Sequence, residues 1–224
     1  MKPAIHKLTA RTAAILLAFA VVGTALLAFT FNMTRGIVAR NEEQAKLALI
    51  GQVLPPDLYD NDLLHDTLTL PPSAQLGTDE ASLAYRARLR GQPSALVMEA
   101  NAPDGYGGDI KLLVAIRSNG EIAGVRVLAD HETPGLGDYI EIAKSDWIRI
   151  FDGASLRRYA PQDWRVKKDG GKFDYVTGAT ISPRAIVKAV HNALEYFGQH
   201  RAMLLGPPQP PADRTGKAQG EQSP

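Results

Sequence analysis

The 224-residue chain contains no cysteine. That absence excludes disulfides, thiolate metal sites, iron–sulfur ligation by this chain, thiol catalysis and lipid attachment at a thiol. It suits an oxidising compartment and does not require one. An excess of charge is missing too: 25 Lys and Arg stand against 24 Asp and Glu, for a formal net charge of +1. No strongly electrostatic partner is implied, and the basic residues are spread along the chain, not gathered in a stripe, which argues against nucleic-acid binding. The glycines at 105–108 have no Gly-Lys-Thr or βαβ context and do not make a phosphate loop of the nucleotide-binding kind. His65 has no second ligand at metal spacing and reads as a surface histidine. His131 and Glu132 are adjacent on an extended segment, so they point to opposite faces and make a poor joint metal or general-base site. No metal ligand and no catalytic residue is assigned.

One long apolar run is present. Thr12 to Phe31 is uncharged and of the length a bilayer-spanning helix needs. Lys2, Lys7 and Arg11 precede it, which puts residues 1–11 in the cytoplasm and the chain beyond Phe31 outside. Arg35 and Arg40 on the far side weaken that bias. The rival reading is a cleavable signal peptide, but the apolar core is long for one and no clean Ala-x-Ala site comes after it. Either way the main domain is exported.

Residues 32–93 read as a membrane-proximal helix and a connecting segment. Ile37, Val38, Ala45, Leu47, Ala48 and Ile50 continue a helical pattern that Pro55-Pro56 ends. Thr67–Leu70 alternates like a short strand, and residues 78–90 read as a small charged helix starting near Thr78-Asp79-Glu80. From 94 to 200 the pattern is that of a globular domain. Ser94 to Ala100 reads as a strand and Asn101 to Gly108 as a turn cluster. Ile110, Leu112, Val114 and Ile116 alternate along a second strand. Asn119-Gly120 then turns the chain into a return strand with Ile122, Val125, Val127 and Leu128, giving an antiparallel hairpin with one clearly buried face. Asp138 to Phe151 reads as helix, broken near Ser145, with Trp147, Ile148 and Phe151 as core residues or an aromatic wall. Trp164 and Val166 suggest a strand. Residues 206–224 are rich in Pro, Gly, Gln and charge and read as a disordered tail.

The most informative stretch is Asp174-Tyr175-Val176-Thr177-Gly178-Ala179-Thr180, followed by a helix. Ser182 sits at the N-cap position, Pro183 at the first helical position and Gly198 at the stop. Ile186, Val187, Val190, Leu194 and Phe197 form one face of a 3.6-residue period. Thr177 to Thr180 therefore precede a helix N-terminus, a place suited to a phosphate. On spacing alone the stretch is equally a capped loop.

Asp-x-x-Thr-Gly-Ala-Thr resembles the flavinylation motif of the FMN-binding domain family. That domain occurs in the G subunit of the Rnf (Rsx) ion-translocating electron-transport complex and in the related C subunit of the sodium-pumping NADH:quinone reductase. His131-Glu132-Thr133-Pro134-Gly135-Leu136-Gly137 resembles the family's second hallmark, and Gly105-Tyr106-Gly107-Gly108-Asp109-Ile110 its hairpin start. The resemblance implies covalent FMN on Thr180 through a phosphoester, installed from FAD by an ApbE-type, Mg-dependent flavin transferase. It further implies that Thr177, Gly178, Ala179, Asp174, Glu132, Thr133 and Leu136 lie around the cofactor. Glu132 and Thr133 would bond the ring edge or phosphate side, and Leu136 would pack on the ring. Two roles stay open for Asp174: transferase recognition or loop holding, and a carboxylate cap on the turn at Val176 and Thr177.

The expected fold class is α+β: one N-terminal transmembrane helix, then a periplasmic FMN-binding domain of antiparallel hairpins and packed helices. The expected function is a single-pass inner-membrane electron-transport flavoprotein. It would act with the other Rnf subunits in a translocase that couples ferredoxin and NAD to ion movement, with no turnover alone. The wording of the second hallmark favours the Rnf family member over its quinone-reductase relative. The alternatives are the quinone-reductase subunit and a flavin-free structural or sensory domain.

Overall fold

The structure, a computed structural model, describes residues 2–207, with the side chains of that range except at 2–15, 18, 32, 35–40 and 42. The tail expected at 206–224 lies, from residue 208 on, outside the described residues. The chain divides into two units, a helical one up to Lys46 and a globular one from Leu47. Helix α1, Lys2–Val53, is unbroken. The expected span Thr12–Phe31 falls within it, partly on side chains outside the described set. Among the described residues no helix is long and apolar enough to cross a membrane.

The globular unit is built on five antiparallel strands in sequence order: β1 Thr67–Leu70, β2 Ser82–Leu89, β3 Gln92–Gly105, β4 Gly108–Arg117 and β5 Ile122–Ala129. Alternation decides which residue faces which layer. Leu96, Met98 and Ala100 of β3, with Ile110, Leu112, Val114 and Ile116 of β4, form the larger core together with helix α2, Ile181–Leu204. Ala95, Val97, Leu113 and Ala115 point the other way. They are buried by Ile50, Val53 and Leu54 at the end of α1 and by Leu63. The hairpin expected to have one buried face is therefore buried on both. Gly124 is where the sheet meets α1, since a Cβ there would stand 2.6 Å from the Val53 carbonyl.

Several local expectations are corrected. Residues 78–90 are not a helix: Ser82–Leu89 is the strand β2. Two of the charges in this segment, Arg86 and Arg88, are drawn inward. Arg86 is 3 % exposed and donates to the carbonyls of Leu204 (2.8 Å), Met203 (3.0 Å) and Pro207 (3.1 Å). Arg88 pairs with Asp66. Helix α2 does not stop at Gly198 but continues to Leu204, because Leu204 is fully buried and Arg86 satisfies the terminal carbonyls. Asp138 to Phe151 is two short 3-10 segments, Asp138–Ile140 and Asp146–Phe151. Ser145 caps the second, its hydroxyl accepting from the Trp147 N–H at 3.1 Å. Strand β3 runs through the expected turn cluster to Gly105. Trp164 and Val166 make no strand, only a single bridge from Val166 to Phe173. His65 is a surface residue beside Asp62.

Candidate functional site

Three segments far apart in sequence meet beside the N-terminus of α2. They are the β3–β4 turn at Tyr106, the loop from His131 to Gly137 and the loop from Asp174 to Thr180. Between them lies a cleft of about 350 Å³, lined by Tyr106, Glu132, Thr133, Leu136, Gly137, Gly178, Ala179, Thr180, Ile181 and Ser182. Its size falls in the range of small-molecule sites.

The helix starts two residues earlier than its Ser-Pro pair suggests. Thr180 is the N-cap residue, and its hydroxyl makes no capping hydrogen bond. Its oxygen is thus left at the positive end of a 24-residue helix without serving that end. Ser182 has moved inward: it is 2 % exposed, and its hydroxyl accepts from the Tyr106 N–H at 3.5 Å. The residue read as a cap thus ties the helix to the β3–β4 turn.

Glu132 forms the opposite wall. It is 7 % exposed, and its Oε1 accepts from the Gly107 N–H at 3.1 Å. Its Oε2 is buried and finds no hydrogen-bond partner among the described residues. A buried carboxylate oxygen without a donor is costly, so the site is unfinished without a group that donates to it. Two glycines make the packing around Glu132 possible. A Cβ at Gly107 would collide with the His131 carbonyl, and one at Gly137 with the Glu132 carboxylate itself. Gly135 takes φ +77°, and its N–H donates to Asp138 Oδ1 at 2.8 Å, which closes the loop that carries Thr133 and Leu136. Leu136, Tyr106 and Ile181 stand exposed on the rim, an apolar border around a polar floor.

Of the residues singled out from sequence, Glu132, Thr133, Leu136, Gly178, Ala179 and Thr180 line the cleft. Asp174 and Thr177 do not. The Asp174 carboxylate pairs with Lys167 Nζ at 2.5 Å on the surface. It does not cap the turn: the Val176 N–H donates instead to the Tyr139 hydroxyl at 3.2 Å. Trp147, expected as core or wall, is half-buried and donates its indole N–H to the Asp174 carbonyl at 2.8 Å, while Ile148 and Phe151 are core. Tyr106, Gly137, Ile181 and Ser182 also line the cleft; Gly137 and Tyr106 belong to the second hallmark and the hairpin start, while Ile181 and Ser182 were signalled only by following Thr180. Burial raises the Tyr139 phenol above its ordinary range, against a lowering bond from Val176 and with a smaller push from Glu132. A second cleft, of about 330 Å³, is lined by Asp79, Glu80, Glu99 and Asp109 with Lys111. Four carboxylates against one ammonium make it hostile to a phosphate.

Known proteins match both parts of this chain in sequence. Residues 1–53 match the RnfG N-terminal region and residues 105–195 the FMN-binding domain. A protein of Pseudomonas aeruginosa, the G subunit of an ion-translocating oxidoreductase complex, is 46% identical over 207 residues, 92% of this chain and 97% of that one. The chain belongs to the RnfG family, the G subunits of these complexes. Family members of the same description from Vibrio cholerae (46% over 196 residues, 88% of this chain and 93% of the other) and Shewanella oneidensis (45% over 190 residues, 85% and 90%) cover nearly the same span. The cleft falls within the stretch matched to the FMN-binding domain, and α1 within the stretch matched to the RnfG N-terminal region.

Proposed function

We propose that this chain is a membrane-anchored flavoprotein subunit that carries FMN in the cleft, linked by a phosphoester to Thr180, and relays electrons within an Rnf-type ion-translocating oxidoreductase complex. The observation that carries the reading is the meeting of both hallmarks in one cleft, with a hydroxyl at a helix N-terminus on one wall and an unpartnered buried carboxylate oxygen on the other. The residues present fit the cofactor. Thr180 and the first N–H groups of α2 suit its phosphate. Glu132 Oε2 suits an N–H or O–H of the flavin. Leu136, Tyr106 and Ile181 offer apolar surface to its ring. FMN, when bound, supplies one- and two-electron transfer; the chain holds it, orients it and limits water around it.

Attachment calls for a partner, because a threonine hydroxyl needs activation and no base is hydrogen-bonded to Thr180 among the described residues. An ApbE-type, Mg-dependent flavin transferase using FAD fits that need. The other Rnf subunits are the electron partners. The membrane reading draws support from α1, where Leu16, Leu17, Phe19, Leu26, Leu27 and Phe29 all stand exposed, a surface that only lipid or neighbouring helices would cover. Lys2, Lys7 and Arg11 put the N-terminus in the cytoplasm and the domain in the periplasm. The match at residues 1–53 favours this complex over the sodium-pumping quinone reductase.

The test is flavin fluorescence of the fully denatured band after co-expression with the transferase. The wild type glows, Thr180→Ala is dark and folded, and Thr177→Ala retains flavin because Thr177 lies outside the cleft. Fluorescence lost in Thr177→Ala and kept in Thr180→Ala would move the bond to the other hydroxyl. A dark wild type, with the transferase shown to be active, leaves a flavin-free anchored domain.

A further inference from the structure

Tyr139 lines no part of the cleft, yet it is joined to both of its walls. The residue before it, Asp138, grips the Glu132 wall by accepting from the Gly135 N–H. Tyr139 grips the other. Its hydroxyl donates to the Ala179 carbonyl at 2.9 Å and accepts from the Val176 N–H at 3.2 Å. Those residues are the two ends of the turn that precedes Thr180. Within the turn itself one bond closes the loop, from the Ala179 N–H to the Val176 carbonyl at 3.1 Å, and Gly178 takes φ +92°. Val176, Thr177 and Gly178 are exposed, so the turn has little packing of its own. The phenol is anchored in turn. Its ring meets Trp147 edge-on with centroids 5.6 Å apart, and the Trp147 indole holds the Asp174 carbonyl at the start of the same loop. Residues 138–147 thus act as a strut between the walls.

We propose that Tyr139 is a positioning residue for flavin attachment: its hydroxyl pins the Val176–Ala179 turn so that the Thr180 hydroxyl stands ready in the cleft. This rests on the FMN reading above. In the transfer the bond from Thr180 Oγ1 to phosphorus forms, the pyrophosphate P–O bond of FAD breaks, and AMP leaves. The hydroxyl proton passes to a base of the transferase, and no electron is exchanged. Tyr139 touches none of these atoms. It restricts the approach of one of them, and small losses of orientation slow such steps steeply.

The experiment uses the full-length chain with the transferase, Mg²⁺ and FAD, and follows flavin that survives denaturation. Tyr139→Phe keeps the ring against Trp147 and removes one oxygen. Labelling is expected to slow by roughly tenfold, with the loss in kcat persisting when the chain is saturating, while the thermal midpoint stays within a few degrees of wild type. A folded Tyr139→Phe chain labelled at the wild-type rate overturns the proposal. No variant is needed for the second measurement: in the unlabelled wild type the Val176 amide should exchange with solvent more slowly than that of Thr177, and equal rates overturn the proposal too. A wild-type chain that is never labelled defeats the FMN reading instead, and the two failures are thereby distinct.

Discussion

A methyl group added at Gly107 runs into the carbonyl of His131, a backbone atom that cannot step aside without moving the Glu132 wall. One added at Gly178 meets nothing within 4 Å, but the residue sits at φ +92°, where a side chain strains its own backbone. The two alanine substitutions therefore separate. Gly107→Ala should cost about 1–3 kcal/mol of stability through overpacking and loosen the cleft. Gly178→Ala should cost about 1–2 kcal/mol at most, in an exposed turn that can relax, and show itself mainly as slower flavin labelling. Thermal melts beside labelling rates check this; a Gly178→Ala chain that melts well below Gly107→Ala would reverse the ordering. At this scale much of the site was legible. Thr180, Glu132, Thr133 and Leu136 stand in two recognisable motifs, and the fold brings both to one cleft. Tyr139 was not legible, because its role depends on a contact 40 residues along the chain that no local pattern encodes. Nor was the Glu132 oxygen left without a donor, since only burial makes that consequential.

Elements were harder to read where a charge had been drawn inside. Residues 78–90, with Arg86 and Arg88 among their charges, read as a charged helix where Ser82–Leu89 is a strand, and the misreading of the α2 stop has the same origin. A glycine at 198 is exposed and costs the helix only about 1 kcal/mol, less than is gained by burying Leu204 and capping its end with Arg86. The strand and the helix end are thus specified by each other, across 118 residues. Burial lowers the Arg86 pKa, opposed by the Asp66 charge. The guanidinium's hydrogen bonds are what make its position tenable. Arg86→Met, which keeps most of the volume, leaves the carbonyls of Met203, Leu204 and Pro207 without that donor and should cost about 3 kcal/mol. The N-terminus of α2 lies about 36 Å away along the helix, so the remaining folded protein should still accept flavin at Thr180. Chemical denaturation and labelling, measured on the same preparation, test both halves. An unchanged stability would mean that solvent replaces the guanidinium at the helix end.

For the whole molecule, the sheet explains why the chain divides where it does. A five-stranded sheet with apolar residues on both faces needs two covers. Helix α2 and the segments around it cover one. The other is covered by Ile50 and Val53, which belong to the same helix as the long apolar run, by Leu54 just after it, all past the division at Leu47, and by Leu63. Alternation along β4 marked Ile110, Leu112, Val114 and Ile116 as one buried face, while Leu113 and Ala115, flanked by Lys111 and Arg117, did not read as a second. What it did not show was that the end of α1 would supply the missing layer. The last turns of α1 are therefore part of the domain, and the point of truncation decides whether that domain survives. A chain beginning at Leu47 keeps Ile50, Val53 and Leu54 and should be folded, free of detergent and able to take flavin. A chain beginning at Pro56 loses them, leaves Val97, Leu113 and Ala115 with only Leu63 and its neighbours as cover, and forfeits on the order of 5 kcal/mol of burial, comparable with the whole stability of many domains. It should aggregate or melt far below the longer fragment. Size-exclusion chromatography and thermal melting of the two fragments decide the matter. If the shorter one is equally stable and monomeric, the second layer is ornamental, and α1 is only an anchor.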